Sequence, residues 1–286
     1  MNLIERKRCP VCDKEKFNSL FKISYNDQKL KNFLLDYYHN RLNLNIISNY
    51  YYEILECINC KFIFQKNIPN DKFSQYLYEN VISSQESLDK KKNLQNFKKK
   101  YDFEISLIKS IFKGKNVNVL EFGAGWGFWA KHALENGINI DAFEISKERI
   151  NYMRKNGLNV IEDLNSINKK YDFVYSDQTI EHLNDPHEIF KNILPKLKSG
   201  GYFLINYQST FMFKKKLNKN YQPQKDAAHP LEHLNLFNKS TIKFFTNKYN
   251  LELVSFKSKY YFNFRILLKD IKNYFFFDSI LLKNNN

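Results

Sequence analysis

The sequence predicts an α/β protein, a mostly parallel sheet with helices on both faces, preceded by a small cysteine-bearing lobe. Three observations predict it. From Val117 onward, short apolar runs alternate with helical segments, the signature of repeated strand–helix units. A glycine-rich turn, Gly123-Ala-Gly125-Trp-Gly127, closes the first of those runs. All four cysteines fall in the first 60 residues, as Cys9-Pro-Val-Cys12 and Cys57-Ile-Asn-Cys60.

The lobe, residues 1–82, comes first. Two C-x2-C pairs offer four thiolates to one tetrahedral ion, which points to Zn2+. A site closed by four sulfurs leaves no position for water or substrate, so its expected role is structural. Four ordinary reduced cysteines, or a thiol redox pair, are the alternatives. Residues 13–56 separate the knuckles, more than the roughly 15–20 of a compact ribbon. They hold a helical run, Gln28–Tyr38, and a strand-like run, Asn49–Leu55. Residues 83–112 are polar and Lys-rich, then amphipathic, and read as a connecting helix with a solvated face.

The sheet domain is expected over residues 113–258. Val117–Glu121 forms its first strand, and a helix from Phe128 to Asn136 ends at Gly137. Ile138–Ile145 is the second strand, followed by a helix from Ser146 to Asn156. Asn159–Ile161 and Tyr171–Ser176 are the third and fourth strands. A helix over Pro186–Leu197 stops at Ser199-Gly200-Gly201, and Tyr202–Asn206 is the fifth strand. Residues 238–248 read as helix and Glu252–Phe256 as strand. The end, 259–286, is Phe-rich and suits a final strand plus a tail, or an interfacial amphipathic piece; core is the commoner fate of such a run.

Composition limits the function. With 286 residues, 43% of them hydrophobic and 26% charged, the chain supports a buried core, which excludes general disorder and a disulfide-stapled miniprotein. No stretch approaches about 18 consecutive apolar residues, and the start carries no apolar leader, so a cytoplasmic protein is expected. The net charge is +15, yet only six of the 45 basic residues are Arg. Lys, Asn, Ile, Tyr and Phe share AT-rich codons, which accounts for much of the excess. Readers of phosphate and bases favour the Arg fork, so the balance argues against a nucleic-acid partner.

The functional signal begins at the first strand, Val119-Leu-Glu121-Phe-Gly123-Ala-Gly125. Glycines there allow a sharp turn and close approach to a ligand beside a helix N-terminus. Glu144 ends the next strand, 19 residues after Gly125, where a carboxylate can accept both hydroxyl protons of a ribose. It would alternatively serve as a helix-entry residue before Ser146. A dinucleotide site is the neighbouring possibility, although G-x-G-x-G is not G-x-G-x-x-G.

These residues resemble motif I and the ribose acid of the class I S-adenosylmethionine-dependent methyltransferases. The resemblance runs from about Val117 to Phe256. It takes in Tyr171-Asp172-Phe-Val-Tyr-Ser176, Ile180-Glu181-His182-Leu-Asn-Asp185-Pro186 and Leu197-Lys-Ser-Gly200-Gly201. It implies a Rossmann-like seven-stranded methyltransferase sheet that binds S-adenosyl-L-methionine. Gly123 and Gly125 would then pass under the methionine end, with Glu121 of the same motif also at the cofactor, Glu144 at the ribose, Glu162 or Asp163 near the adenine, and Asp177 or its backbone near the methyl. The cysteine lobe and a following Tyr-rich helix look like the zinc module of certain sugar methyltransferases. Members acting on nucleotide-linked deoxysugars place Glu-His before an aromatic late in the domain, as His229-Pro-Leu-Glu232-His233-Leu-Asn-Leu-Phe237 does here. Pro230 stands where a Tyr belongs, and the chain stops soon after the domain, without the extra C-terminal domain of the sugar C-methyltransferases. Both departures favour O-methylation over C-methylation.

A hydroxyl acceptor needs a base near neutrality, which points to histidine. His233 and His182 are the candidates, with Glu232 orienting either one, while His182 as a helix cap and His229 as a loop residue are the plain readings. The expected partner is a small, sugar-derived acceptor for a surface polysaccharide. The other readings are an RNA methyltransferase that uses the zinc lobe as reader, and a non-catalytic module that keeps the cofactor fold.

Overall fold

A computed structural model of the chain describes residues 1–92, 96–208, 210, 213–217, 220–254 and 277–286. In chain order the strands are β1 (Leu3–Glu5), β2 (Phe17–Ser24), β3 (Tyr51–Cys57), β4 (Ile63–Gln65), β5 (Asn67–Pro69), β6 (Asn118–Phe122), β7 (Asn139–Phe143), β8 (Asn159–Ile161), β9 (Tyr171–Asp177), β10 (Leu197–Gln208), β11 (Asn235–Leu236), β12 (Leu251–Val254) and β13 (Phe277–Asn284). The helices are α1 (Gln28–Tyr37), α2 (Asp71–Tyr76), α3 (Ser84–Lys92), α4 (Asn96–Ile111), α5 (Phe128–Glu135), α6 (Lys147–Lys155), α7 (His187–Ile193), α8 (Phe213–Lys216) and α9 (Lys239–Tyr249). They sort into two compact units. The first gathers Met1–Ser87, Ile180–Glu188 and Gln208–Phe244; the second gathers Leu88–Thr179, Ile189–Tyr207 and Phe245–Asn286.

The first unit is built on an antiparallel sheet of order β11-β4-β3-β2. Leu55 of β3 sits opposite Ser19 on one side and Phe64 on the other. β1 pairs separately with β5, Leu3 against Pro69. Asp27 starts α1 by accepting the N–H groups of Lys29 and Leu30, satisfying donors that the first turn leaves open. Leu30 and Leu34, one turn apart, then bury the same face. Their core includes Tyr25, Tyr52, Ile54 and Phe73, and also Phe213, Ala228, Leu231 and Leu236 from far along the chain.

The second unit carries a mixed seven-stranded sheet of order β12-β13-β10-β9-β6-β7-β8. β6 to β10 pair in parallel, with Val119 opposite both Ile140 and Phe173, while β12 and β13 pair antiparallel. The chain leaves β6 towards β7 on one side and later returns to β9 on the other. In open α/β sheets that switch point is where ligands bind, beyond the carboxyl ends of the strands.

Several expected elements differ. The connecting helix is two, α3 and α4, with residues 93–95 outside the described residues. The helix expected over Pro186–Leu197 ends at Ile193 and gives way to a single 3-10 turn, Leu194–Lys196, whose Pro195 cannot donate to a continuing helix. Ser199-Gly200-Gly201 does not end that segment before a strand. It lies inside β10, where the register shifts between Leu197 and Tyr202 and Gly200 takes φ +71°. Most of the Phe-rich end, 255–276, is outside the described residues, but β13 joins the sheet and buries Ile280, Leu281 and Leu282. Among the described residues, no helix is long and apolar enough to cross a membrane.

Candidate functional site

In the second unit, β6 and β7 run in register to Phe122 opposite Phe143. The chain therefore leaves both strands side by side. The N–H groups of Gly123 and Ala124 both donate to the Phe143 carbonyl, 3.0 Å each, which starts the turn. Gly123 takes φ +74°, and a Cβ there would collide with the Thr179 side chain. Gly125, at φ +58°, turns its N–H onto Glu144 Oε2 at 2.8 Å. The other oxygen, Oε1, accepts from Ile145 N at 2.8 Å and Ser146 N at 3.0 Å. Glu144 thus braces helix entry, and its carboxylate is fixed at the tip of β7 beside the glycine turn.

Glu121 is buried, and its Oε2 accepts the Ala130 N–H of α5 at 3.0 Å, so it braces the turn from below. Asp163 is exposed and closes the 164–166 turn through Asn165 N at 2.9 Å. Glu162 pairs with Arg154 at 2.6 Å. Asp177 ends β9 in an ion pair with Lys100 of α4, Nζ to Oδ1 2.7 Å. Beneath it, Asn206 of β10 donates to Glu104 Oε1 at 2.7 Å and to the Tyr175 hydroxyl at 3.2 Å. Burial pushes the Glu104 carboxyl up to about 7, with Asp177 adding to it and Lys100 and Asn206 opposing. Trp129 stacks on Tyr175 at 3.9 Å, a core contact.

A second cluster forms in the first unit, on the 180–182 turn and the 226–235 segment. Two side chains tie that segment down. Gln65, fully buried in β4, donates through Nε2 to the carbonyls of His229 (2.8 Å) and His233 (2.9 Å). Arg6 donates to the Leu234 carbonyl at 3.1 Å, the Asn235 side chain at 3.0 Å and the Asn184 carbonyl at 2.6 Å. Burial lowers the Arg6 guanidinium to about 9, against the attraction of Cys9 and Asp185. Leu231 takes φ +70° within the turn.

The structure brings His182, His229, Glu232 and His233 together. The rings of His182 and His233 are 5.0 Å apart, and those of His229 and His233 5.9 Å. His233 Nδ1 lies 2.6 Å from the Asp226 carbonyl and His182 Nδ1 2.9 Å from the Glu232 carbonyl. A carbonyl only accepts, so both rings carry Nδ1–H, and the neutral ring keeps its lone pair on Nε2. The Tyr78 hydroxyl is 3.1 Å from His182 Nδ1. Glu232 Oε1 accepts from the Tyr38 hydroxyl at 2.9 Å and lies 3.2 Å from His229 Nε2. Burial drives His233 down to about 3, helped by repulsion from His182 and His229. Burial would raise Glu232, but His229 close beside it and the other surrounding histidines bring it to about 2. Helix α7 is capped by Asp185, whose Oδ1 accepts the His187 N–H at 2.8 Å, so His182 is not its cap. His229 is no plain loop residue either: it is 1% exposed.

Reading the sequence missed Gln65, Arg6, Tyr38, Tyr78, Lys100 and Glu104. Tyr78 alone had a pointer, since it lies in the Tyr-rich stretch behind the lobe.

The four cysteine sulfurs lie within 4.8 Å of one another, with Cys9–Cys60 and Cys12–Cys57 each at 3.5 Å. That is too far for a disulfide of about 2.05 Å. It is close to the separation of about 3.8 Å that four sulfurs keep around zinc at about 2.3 Å. The two knuckles repeat one backbone pattern. Asp13 N donates to the Cys9 carbonyl and Lys61 N to the Cys57 carbonyl, both at 3.0 Å, with Asp13 and Lys61 at φ 59° and 60°. The donor set and geometry fit the ion expected from the spacing.

Residues 95–256 match the family described as "Methyltransferase domain". The chain is similar to two malonyl-[acyl-carrier protein] O-methyltransferases of Ilyobacter polytropus. One is 30% identical over 142 residues, covering 42% of this chain and 54% of the relative; the other is 28% identical over 167 residues, covering 51% and 59%. The chain thus spans little more than half the length of the curated relatives it matches. Among solved structures it resembles the plantazolicin methyltransferase BpumL in complex with a desmethylPZN analog and SAH. That likeness has a TM-score of 0.55 at 15% identity and covers 74% of this chain and 95% of that one, a likeness of fold.

Proposed function

The chain belongs to the class I S-adenosylmethionine-dependent methyltransferases, and from that premise we propose that it methylates a hydroxyl of a small molecule, most simply a sugar or sugar-derived precursor of a surface polysaccharide. The observation that carries the reading is the His182–His233–Glu232 cluster around the buried His233 ring. An acceptor that is already anionic, such as a carboxylate, needs no proton acceptor. A hydroxyl does, and His233 presents Nε2 for its proton, although burial holds that ring at about 3, below the near-neutral value expected of the base. S-adenosylmethionine supplies a methyl group already activated on a sulfonium. On transfer His233 Nε2 would take the proton from the acceptor O–H as the methyl–sulfur bond gives way to the O–CH3 bond. The sulfonium charge is thereby replaced by an imidazolium charge.

The second unit would hold the cofactor. The Gly123–Gly125 turn leaves the backbone bare for the methionine end, and Glu144, pre-fixed by three backbone donors, would receive the ribose hydroxyls. Asp177, held by Lys100, would sit by the methyl, with Asp163 or Glu162 near the adenine. Glu121 would act by bracing the turn. In the first unit, Cys9, Cys12, Cys57 and Cys60 would hold a structural Zn2+ that knits the lobe together.

The test uses radiolabelled S-adenosylmethionine and host-cell extract separated into nucleotide-sugar, polysaccharide or lipid, protein and RNA fractions. Label in a carbohydrate fraction supports the reading. Label on acyl-carrier protein or RNA overturns the acceptor class, and no transfer by a protein that binds the cofactor points to a non-catalytic module.

A further inference from the structure

We propose that Arg6 couples the four-cysteine metal centre to the acceptor-side histidines: the charge of the filled centre keeps the guanidinium in place, and the planar fork of that guanidinium fixes the backbone beside His182 and His233. The inference rests on the readings of the zinc site and of His233 given above.

Arg6 is a buried charge. It follows β1, is 9% exposed, and its guanidinium lies 5.9 Å from the centre of the Phe64 ring. A guanidinium taken out of water is costly unless an anion compensates it. Among the described residues its hydrogen-bond acceptors are the Asn184 and Leu234 carbonyls and the Asn235 side-chain oxygen, all of them neutral. The compensation comes from Cys9, three residues on, and from Asp185, the two groups whose charge favours the cation. Ligating cysteines are deprotonated, and four thiolates around one Zn2+ leave the centre doubly negative. A filled site therefore strengthens the hold on Arg6.

What the fork holds is backbone next to both histidines. Leu234 follows His233, and Asn184 lies two residues after His182. The same grip fixes Asn235, whose Nδ2 donates to the Leu183 carbonyl at 2.6 Å, while Leu234 N donates to the Glu181 carbonyl at 2.8 Å. One guanidinium thus straps together the two segments that bring the His182 and His233 rings to 5.0 Å. A second tie runs from the same knuckle. Buried His187 donates through Nε2 to the carbonyl of Val11, which stands between Cys9 and Cys12, at 2.9 Å. Arg6 is therefore a positioning residue that acts on His182 and His233 through the backbone, and the metal centre sets the acceptor side as well as the lobe.

The test uses the full zinc-loaded chain and two readouts. Zinc retention is read as the rate of loss to a chromogenic chelator. Histidine placement is read from the ring-nitrogen NMR signals of the 15N-histidine-labelled chain, assigned by single His→Gln variants. Arg6→Gln removes both charge and fork: zinc should leave about tenfold faster, and the His182 and His233 signals should move while those of His39 and His132 stay. Arg6→Lys keeps the charge but has no planar fork, so zinc loss should stay within about twofold of wild type while the two histidine signals still move. A residue that only packs the lobe would change both readouts together or neither. Should Arg6→Gln not fold, Arg6→Lys carries the test. The proposal is overturned by wild-type zinc retention in Arg6→Gln, by unmoved His182 and His233 signals in either variant, or by zinc leaving Arg6→Lys about tenfold faster than wild type. The readings beneath it fail separately. A purified chain without zinc ends the metal reading and the proposal with it, whereas His233→Gln that transfers label to the extract at the full rate removes His233 as the base and leaves the zinc-release result standing.

Discussion

At Gly123 the backbone is left-handed and a Cβ has nowhere to go but into Thr179. Gly123→Val combines an unfavourable φ with that collision, about 2–3 kcal/mol at the turn, so cofactor affinity should fall about 100-fold by calorimetry. Binding within threefold of wild type would show that the turn does not carry the cofactor. His233→Ala separates binding from chemistry. It should leave cofactor affinity unchanged and reduce turnover about 10²- to 10⁴-fold, the usual contribution of a general base. A variant retaining half the rate would eliminate that role. The tautomer strengthens the expectation, because the Asp226 carbonyl fixes Nδ1–H and leaves one nitrogen to react.

Among the elements, α4 shows what pattern reading sees and what it misses. Its Lys-rich start, Phe97-Lys-Lys-Lys100, looks like a solvated face, and Lys98 and Lys99 are indeed exposed. Lys100 instead turns to Asp177, and Glu104, one turn on, is buried against Asn206. With its carboxyl raised to about 7, Glu104 binds a proton better folded than unfolded. Its contribution to stability is complete below about pH 4.5 and is lost as pH rises through 7, by up to about 3 kcal/mol. Urea melts between pH 5 and 8 should therefore slope downward for wild type and lie flatter for Glu104→Gln; equal slopes would reject the assignment. The glycine turn and Glu144 were legible because they interact within one strand–helix–strand unit, 19 residues apart. Glu232 and His233 were legible as a local pattern. Gln65 and Tyr38 were not, since their partners lie more than 160 residues away and nothing in β4 or α1 marks them.

For the molecule as a whole, a zinc ion on the four-cysteine cluster would close a loop of more than 40 residues between Cys12 and Cys57. A cross-link over that length is worth about 3–5 kcal/mol. Metal analysis of the purified chain should find one zinc per molecule, and removing it with a strong chelator should lower the melting temperature by about 6–15 °C. Absence of zinc, or an unchanged melt after its removal, would reduce the four thiols to ordinary core residues. The α/β class with its largely parallel sheet was foreseeable from strand–helix alternation, and the convergence of the two cysteine pairs from their spacing. The membership of the first unit was not, because 180–188 and 208–244 follow the same alternating rhythm as the sheet they interrupt.

That membership has a consequence for synthesis of the chain. The core around Tyr52, Ile54 and Phe73 is completed by Ala228, Leu231 and Leu236. At about 5–20 residues per second, a ribosome emits the early strands roughly 10–40 s before their last partners. During that interval β3 and β4 have no β11 beside them, and the apolar side chains of the lobe face solvent or a chaperone. The cysteine knuckles are complete by residue 60, so a metal captured there could hold the early strands in register until the later segments arrive.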